Sequence, residues 1–114
     1  MVFVYQKQLI YSGTDWKIPV NITIPQTAIS TATTTIYQPV AGYSVLNLTL
    51  INTNTSAVTI NIYDGSTKLL SISVPAGGTT VFNNVVFQTA VVVSASSTGA
   101  YIFATGIDGY NPIE

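Results

Sequence analysis

Apolar and polar residues alternate with a period of two along most of this chain. Leu46, Leu48 and Leu50 are interleaved with Asn47 and Thr49, and Val58, Ile60 and Ile62 with Thr59 and Asn61. Leu70, Ile72 and Val74 alternate with Ser71 and Ser73. Val91, Val93 and Ala95 alternate with Val92, Ser94 and Ser96, and Tyr101 and Phe103 continue the series. A period of two places one set of side chains on each face of a strand. No stretch of ten residues carries a helical stripe. The abundant Thr, Val, Ile and Tyr suit a pleated sheet. Turn signals stand at Ala41-Gly42, Asn52-Thr-Asn54, Asp64-Gly65, Pro75 to Gly78, Asn83-Asn84 and Ser96 to Gly99. Asp108-Gly109 reads as another turn. Such spacing predicts an all-β fold, an antiparallel β-sandwich of Ig-like or jelly-roll-like type. From Tyr43 onward it predicts a meander of six short strands, with the crossings between sheets left open. The expected core is Leu46, Leu48, Leu50, Val58, Ile60, Leu70, Ile72, Val93 and Phe103.

The hairpin around Asp64-Gly65 allows a sharper expectation. A two-residue type I′ loop pairs Ile60 with Leu69 and Ile62 with Thr67. It sends Leu70 and Ile72 to the face opposite Ile60 and Ile62. A slip of one residue reverses every side chain, so the register has to satisfy the core. A three-residue loop, Asp64-Gly65-Ser66, pairs Ile60 with Leu70 and Val58 with Ile72 and gathers both apolar rows on one face. The pattern therefore predicts an odd-length loop with Gly65 or Ser66 at positive φ.

The first part of the chain differs. Met1 to Tyr11 reads as a strand with Val2, Val4 and Ile10 on one face and Phe3, Tyr5, Leu9 and Tyr11 on the other. Large apolar groups on both faces imply that both are covered. Ser12 to Asp15 breaks this strand. Trp16 to Ile24 reads as a second one, placed at an edge or bulge by Pro19. Pro25 to Thr35 reads as a loop. Residues 1–25 are accordingly expected to form an extended N-terminal arm, and residues 26–114 the sandwich domain.

Composition narrows the chemistry. The chain has 114 residues, the length of one domain. Charged residues make up 6% of it, against about 25% in ordinary soluble domains. Ser, Thr and Asn supply 35 residues, so the polar surface is built from neutral hydroxyls and amides. A free monomer with so little charge has weak protection against self-association, and this points to life inside an assembly. The apolar runs are too short for a membrane-spanning helix. The N-terminus has no ordered basic, apolar and small-residue segments of a secretory signal. The expectation is a protein made and used without general secretion, whose sequons at Asn21, Asn47 and Asn54 carry no glycan.

Without histidine, cysteine or arginine, the usual bases, thiol nucleophiles and soft metal ligands are missing. Asp64 is explained as a turn residue, Asp15 lies in a linker and Glu114 ends the chain. Asp108-Gly-Tyr-Asn111 lacks the ligand density of a calcium loop. Three lysines argue against nucleic-acid binding. The expectation is a protein that is not an enzyme and takes no cofactor or metal. The residues left for function are aromatic and apolar: Trp16, Tyr5, Tyr11 and Tyr110 lie outside the expected meander. With Val2, Phe3, Val4, Leu9 and Ile10 they form the candidate assembly interface.

Three segments carry a resemblance: TTTIYQPVAGYSVLNLTLINTNTSAVTINIYDG, LLSISVPAGGTTVF and VVVSASSTGAYIFATG. They lie within the stretch from Ile24 to Tyr110, which resembles a recurrent type of small tailed-phage virion protein. The N-terminal arm lies outside the resemblance. The likeness implies a capsid decoration, head–tail or tail accessory subunit that binds copies of itself and other virion proteins. It implies a place in the virion after assembly in the host cytoplasm, without nucleic-acid or membrane contact. Two alternatives stand beside it. One is a carbohydrate- or receptor-binding module using exposed aromatics. The other is a surface filament subunit built by donor-strand exchange.

Overall fold

Alternation becomes strand throughout the part of the chain that the structure, a computed structural model, describes: residues 10–12, 15–17, 20–40 and 43–110. Strands β1 (Ile10–Ser12) and β2 (Asp15–Lys17) pair as a two-stranded sheet of their own. Eight more follow: β3 (Val20–Ala28), β4 (Thr34–Tyr37), β5 (Tyr43–Asn52), β6 (Val58–Asp64), β7 (Thr67–Val74), β8 (Thr79–Phe87), β9 (Val91–Ala95) and β10 (Ala100–Tyr110). They form two antiparallel sheets of four, ordered β3-β10-β5-β8 and β4-β9-β6-β7.

These orders conceal a simpler rule. β6 pairs with β7, β5 with β8, β4 with β9 and β3 with β10. The pairs are nested about one turn, Gly65-Ser66, as in a single long hairpin. Rolling that ribbon into two layers gives a jelly roll, the second of the two sandwich types the pattern allowed. All six strands expected after Tyr43 exist, but they do not form a meander. Among these six strands only β6 and β7 are joined as a hairpin, and every other connection crosses between the two four-stranded sheets.

The inner faces follow the alternation. Ser44, Leu46, Leu48, Leu50 and Asn52 of β5 point inward and are buried, as do Val58, Ile60 and Ile62 of β6. Val91 and Val93 of β9, Ile102 and Ala104 of β10, Val74 and Phe87 complete the centre. Two expectations need correction. Phe103 lies on the outer face of β10 and is 36% exposed, because its neighbours Ile102 and Ala104 hold the inward phase. Leu70 and Ile72 face the core but are only partly buried, because β7 is an edge strand and one side of it is open.

Bulges set the phase. The hairpin loop is two residues long, Gly65-Ser66 between paired Asp64 and Thr67, not the odd-length loop expected. Only Gly65 has positive φ, at 63°, which is the type II′ pattern. Leu69 is then left over, since Tyr63 pairs with Lys68 and Ile62 with Leu70. This one-residue bulge restores the parity that the core requires, with Ile60 opposite Ile72 and Val58 opposite Val74.

Asn83-Asn84 is a bulge within β8, opposite Asn47, and not a turn. Asp108-Gly109 likewise lies within β10, where Gly109 is the extra residue. The loop expected over Pro25 to Thr35 shrinks to residues 29–33, because β3 runs on to Ala28. Pro25 fits there because β3 is an edge and Pro25-Gln26 together oppose Phe103. Gly106 is required by space: a Cβ there would run into the Val45 carbonyl oxygen and Leu46 Cα.

Ile60→Ala is expected to lower unfolding free energy by about 2 to 5 kcal/mol, while Phe103→Ser shifts it by no more than about 0.5 kcal/mol. Gly106→Ala is expected to cost about 1 to 3 kcal/mol through overpacking of β10 on β5. Urea denaturation of the three variants checks all three figures, and a Phe103→Ser cost matching Ile60→Ala would contradict the assigned faces.

Candidate assembly surfaces

Two carboxylates fall within the fully described part of the chain, and both are committed to the fold. Asp64 ends β6, and its side chain reaches the β8–β9 turn. Oδ1 accepts from Thr89 N at 2.8 Å and Ala90 N at 3.2 Å, and Oδ2 accepts from Gln88 N at 3.1 Å. Gly65 N donates to Ala90 O at 2.9 Å. The β8–β9 turn has no Gly or Pro of its own and was not legible as a turn, because its capping group comes from β6, more than 20 residues away in sequence.

Asp108 is 3% exposed. Its Oδ2 accepts from Tyr37 Oη at 2.6 Å and from Val40 N at 2.8 Å, which ties the β4–β5 crossover to β10. Its Oδ1 and the Oγ of Ser44, the residue opposite it on β5, are buried without a partner among the described residues. Burial, the hydrogen bond to Asp108 and that carboxylate's negative charge push the Tyr37 hydroxyl up to about 12.

At the other end of the sandwich a neutral amide does the equivalent work. Asn52 is 1% exposed. Its Nδ2 donates to the carbonyls of Ser56, Val74 and Pro75 at 2.9, 3.0 and 3.2 Å, and its Oδ1 accepts from Asn54 N at 2.9 Å. One side chain thereby joins the β5–β6 and β7–β8 crossovers. The signal read as a turn at Asn52 was correct, but its range across the molecule was not visible.

Of the residues singled out for assembly, Val2, Phe3, Val4, Tyr5 and Leu9 lie outside the described residues. The backbone brings Tyr11 opposite Trp16 in the β1–β2 pair, with Ile10 opposite Lys17. Tyr110 ends β10 opposite Tyr43. Within the expected arm, the described residues thus form one antiparallel pair, Ile10–Ser12 with Asp15–Lys17.

A surface that the pattern did not single out is the outer face of β3-β10-β5-β8. Val81 is 55%, Val86 40% and Phe103 36% exposed there. Val45, Ile51, Tyr101 and Ile107 share that face and are partly buried. Among the described residues no charged side chain stands on it. The outer face of the other sheet contrasts with it, presenting Thr59, Asn61, Ser71, Ser73 and Lys68. Its polar groups bond one another: Ser71 Oγ donates to Asn61 Oδ1 at 2.9 Å, and Asn61 Nδ2 to Ser94 Oγ at 3.4 Å. Lys68 Nζ lies 5.9 Å from the Tyr63 ring centre. The signal for the apolar face was present in the sequence: Val45, Val81, Val86, Phe103 and Ile107 sit out of phase with the core rows of their own strands.

No family model matches the chain, and no curated protein sequence does. Among solved structures, the fold is shared with a chain of the disulfide-linked pili formed by Bacillus endospore appendages. The TM-score is 0.53, with 18% identity over 90% of this chain and 88% of that one. The STIV MCP also aligns, with a TM-score of 0.31 and 17% identity over 79% of this chain and 48% of that one. That score is too low to carry an argument.

Tyr37 binds its proton more tightly in the folded chain, at about 12, than its ordinary value of 10.0. Its contribution to stability is therefore complete below pH about 10 and is lost as the pH rises through about 12. Thermal melts across that window are expected to fall more steeply for the native chain than for Tyr37→Phe. Asp64→Ala, which strips three amides of their acceptor, is expected to cost about 1 to 3 kcal/mol; urea denaturation measures it.

Proposed function

We propose that this chain is a non-enzymatic structural subunit that assembles with copies of itself and with other proteins of a particle. The observation that carries the reading is the disposition of charge on the jelly roll. Asp64 and Asp108 are spent on internal amides and hydroxyls, and one whole outer face bears no charge among the described residues. A rigid block with a neutral surface is suited to fixed contacts with many neighbours and poorly suited to life as a dilute monomer. The described carboxylates have structural employment, which leaves them no evident part in chemistry.

In its finer form the particle is a virion, and the subunit a capsid decoration or a head–tail or tail accessory protein. The three segments that resemble small tailed-phage virion proteins support this form. The virion, assembled in the host cytoplasm, is then the location. The arm, expected over residues 1–25, runs up to β3, whose residues from Val20 onward pair with β10 in the body's sheet. The arm, with Val2, Phe3, Val4, Tyr5, Leu9, Ile10, Tyr11 and Trp16, reaches a neighbour and adds a strand to its sheet, which satisfies backbone groups and covers both apolar faces.

A second form, a filament subunit, is favoured by the fold shared with the endospore appendage chain. That pilus is disulfide-linked, whereas this chain has no cysteine, so any filament it builds is held without disulfides. A glycan-binding role has no comparable support, and loss of glycan-array binding on Trp16→Ala would be its sign.

Electron microscopy and sedimentation of the full chain, alone and with virion proteins, test the proposal. Expected are closed or decorated particles for the virion form and fibres for the filament form. A monomer that ignores virion proteins would count against both. Deleting residues 1–11 is expected to leave the melting temperature of the body nearly unchanged and to abolish joining to the particle. Unfolding of the truncated chain would show instead that the arm belongs to the core.

A further inference from the structure

The uncharged outer face of β3-β10-β5-β8 is arranged in rows. Across β10, β5 and β8, Ile107, Val45 and Val86 stand side by side. Two residues further along β5 come Thr105 and Asn47, opposite the bulge at Asn83-Asn84. The next row is Phe103, Thr49 and Val81, followed by Tyr101, Ile51 and Thr79. The order is apolar, polar, apolar, with the polar row built from a hydroxyl and amides. Asn47 is exposed, and its Oδ1 already accepts from Asn84 N at 3.0 Å. Its Nδ2 has no acceptor among the described residues and stands at the centre of the face.

We propose that this face packs against the same face of a second copy of the chain, related by a two-fold axis that runs in the interface along the Asn47 row. Such an axis sets each Ile107–Val45–Val86 row on the partner's Phe103–Thr49–Val81 row. It sets Asn47 on Asn47, where the amides can exchange hydrogen bonds. The proposal rests on the reading of the chain as a self-assembling subunit and adds which surface is used.

Three observations select a second copy as the occupant. The rows on either side of the Asn47 row both carry large apolar side chains, so an axis along that row lays apolar on apolar, the self-complementarity that a two-fold, isologous contact uses. The absence of charge leaves nothing unpaired when the face meets itself, and nothing with which to select a charged partner or a lipid headgroup. The size is suitable too. Strands about 4.8 Å apart and about 9 residues long at about 3.3 Å each give four strands a flat projection of roughly 570 Å². Side-chain relief raises the accessible area above that, towards the roughly 800 Å² per partner of a standard interface. Two sheets stacked this way lie about 10 Å apart, as in any β-sandwich.

Sedimentation of the full-length chain over a wide concentration range tests the arrangement, with melting temperature as the check on folding. Val81 is more than half exposed, so Val81→Lys is expected to fold normally. It is expected to raise the concentration for half-association by about a hundredfold, because an ammonium would be buried unpaired. Ser73→Lys, on the opposite outer face, is expected to change it by less than about twofold. The double variant Val81→Lys with Val86→Glu is expected to regain most of the association, because the axis brings residue 81 of one copy against residue 86 of the other. Association that survives Val81→Lys overturns this face while leaving self-assembly standing. A double variant that fails to regain association overturns the two-fold arrangement. A chain that stays monomeric at every concentration overturns both this inference and the assembly reading.

Discussion

The carboxylate of Asp64 holds the point at which the long ribbon turns back on itself. All four nested strand pairs depend on that point. The Gly65-Ser66 turn sets which residues of β6 and β7 meet, and each further pair inherits its order from the one inside it. Asp64 also fastens the β8–β9 turn through Gln88, Thr89 and Ala90, and so joins the tip of the ribbon to the strands that wrap over it. A charged acceptor is well matched to three converging amides, since such bonds are the stronger kind. The bulge at Leu69 is the companion device. It corrects by one residue the phase that the two-residue loop would impose, and the core rows of β6 and β7 come to face the same side.

The crossovers at the two ends of the sandwich are secured by different chemistry. At the end where the body begins and β10 finishes, an acidic side chain, Asp108, takes a tyrosine hydroxyl and a backbone amide. At the other end, Asn52 distributes one amide over three carbonyls and an N–H. Buried polar groups are costly unless they are bonded, and Asn52 meets that demand without any charge. Asp108 meets it in part, with Ser44 beside it, and burial together with the bond to Asp108 draws the Tyr37 titration upward. Two of the seven charged residues, Asp64 and Asp108, thus hold connections in place.

The two outer faces divide the remaining work. The β4-β9-β6-β7 face carries hydroxyls and amides that bond to one another across the strands, together with Lys68, and is suited to water. The β3-β10-β5-β8 face carries valines, isoleucines, Phe103 and Tyr101 around a narrow amide row. An exposed apolar sheet face of this extent marks contact with another surface. The edges of both sheets are interrupted: β3 by Pro25 at a bulge, β8 by Asn83-Asn84, β7 by Leu69, and β4 by its shortness. Such interruptions discourage indiscriminate edge pairing.

The period-two pattern by itself determined that the chain is all-β, that Leu46, Leu48, Leu50, Val58, Ile60 and Val93 are core, and that six strands follow Tyr43. It could do so because alternation is a local property of a half-buried strand. It also determined that the apolar rows around Asp64-Gly65 share a face, since only one parity serves the core. What only the tertiary structure decided is where phase changes and what lies across the sandwich. Asn83-Asn84 and Asp108-Gly109 carry turn chemistry but are bulges, because each strand has a paired neighbour that keeps it extended through the extra residue. Phe103 alternates correctly and still faces outward, because β10's inward phase belongs to Ile102 and Ala104. The turn at Gln88 to Ala90 and the outer apolar face were set by partners far away in sequence, Asp64 for the one and three adjacent strands for the other. Local pattern records which residues want burial; the pairing of distant strands decides which of them receive it.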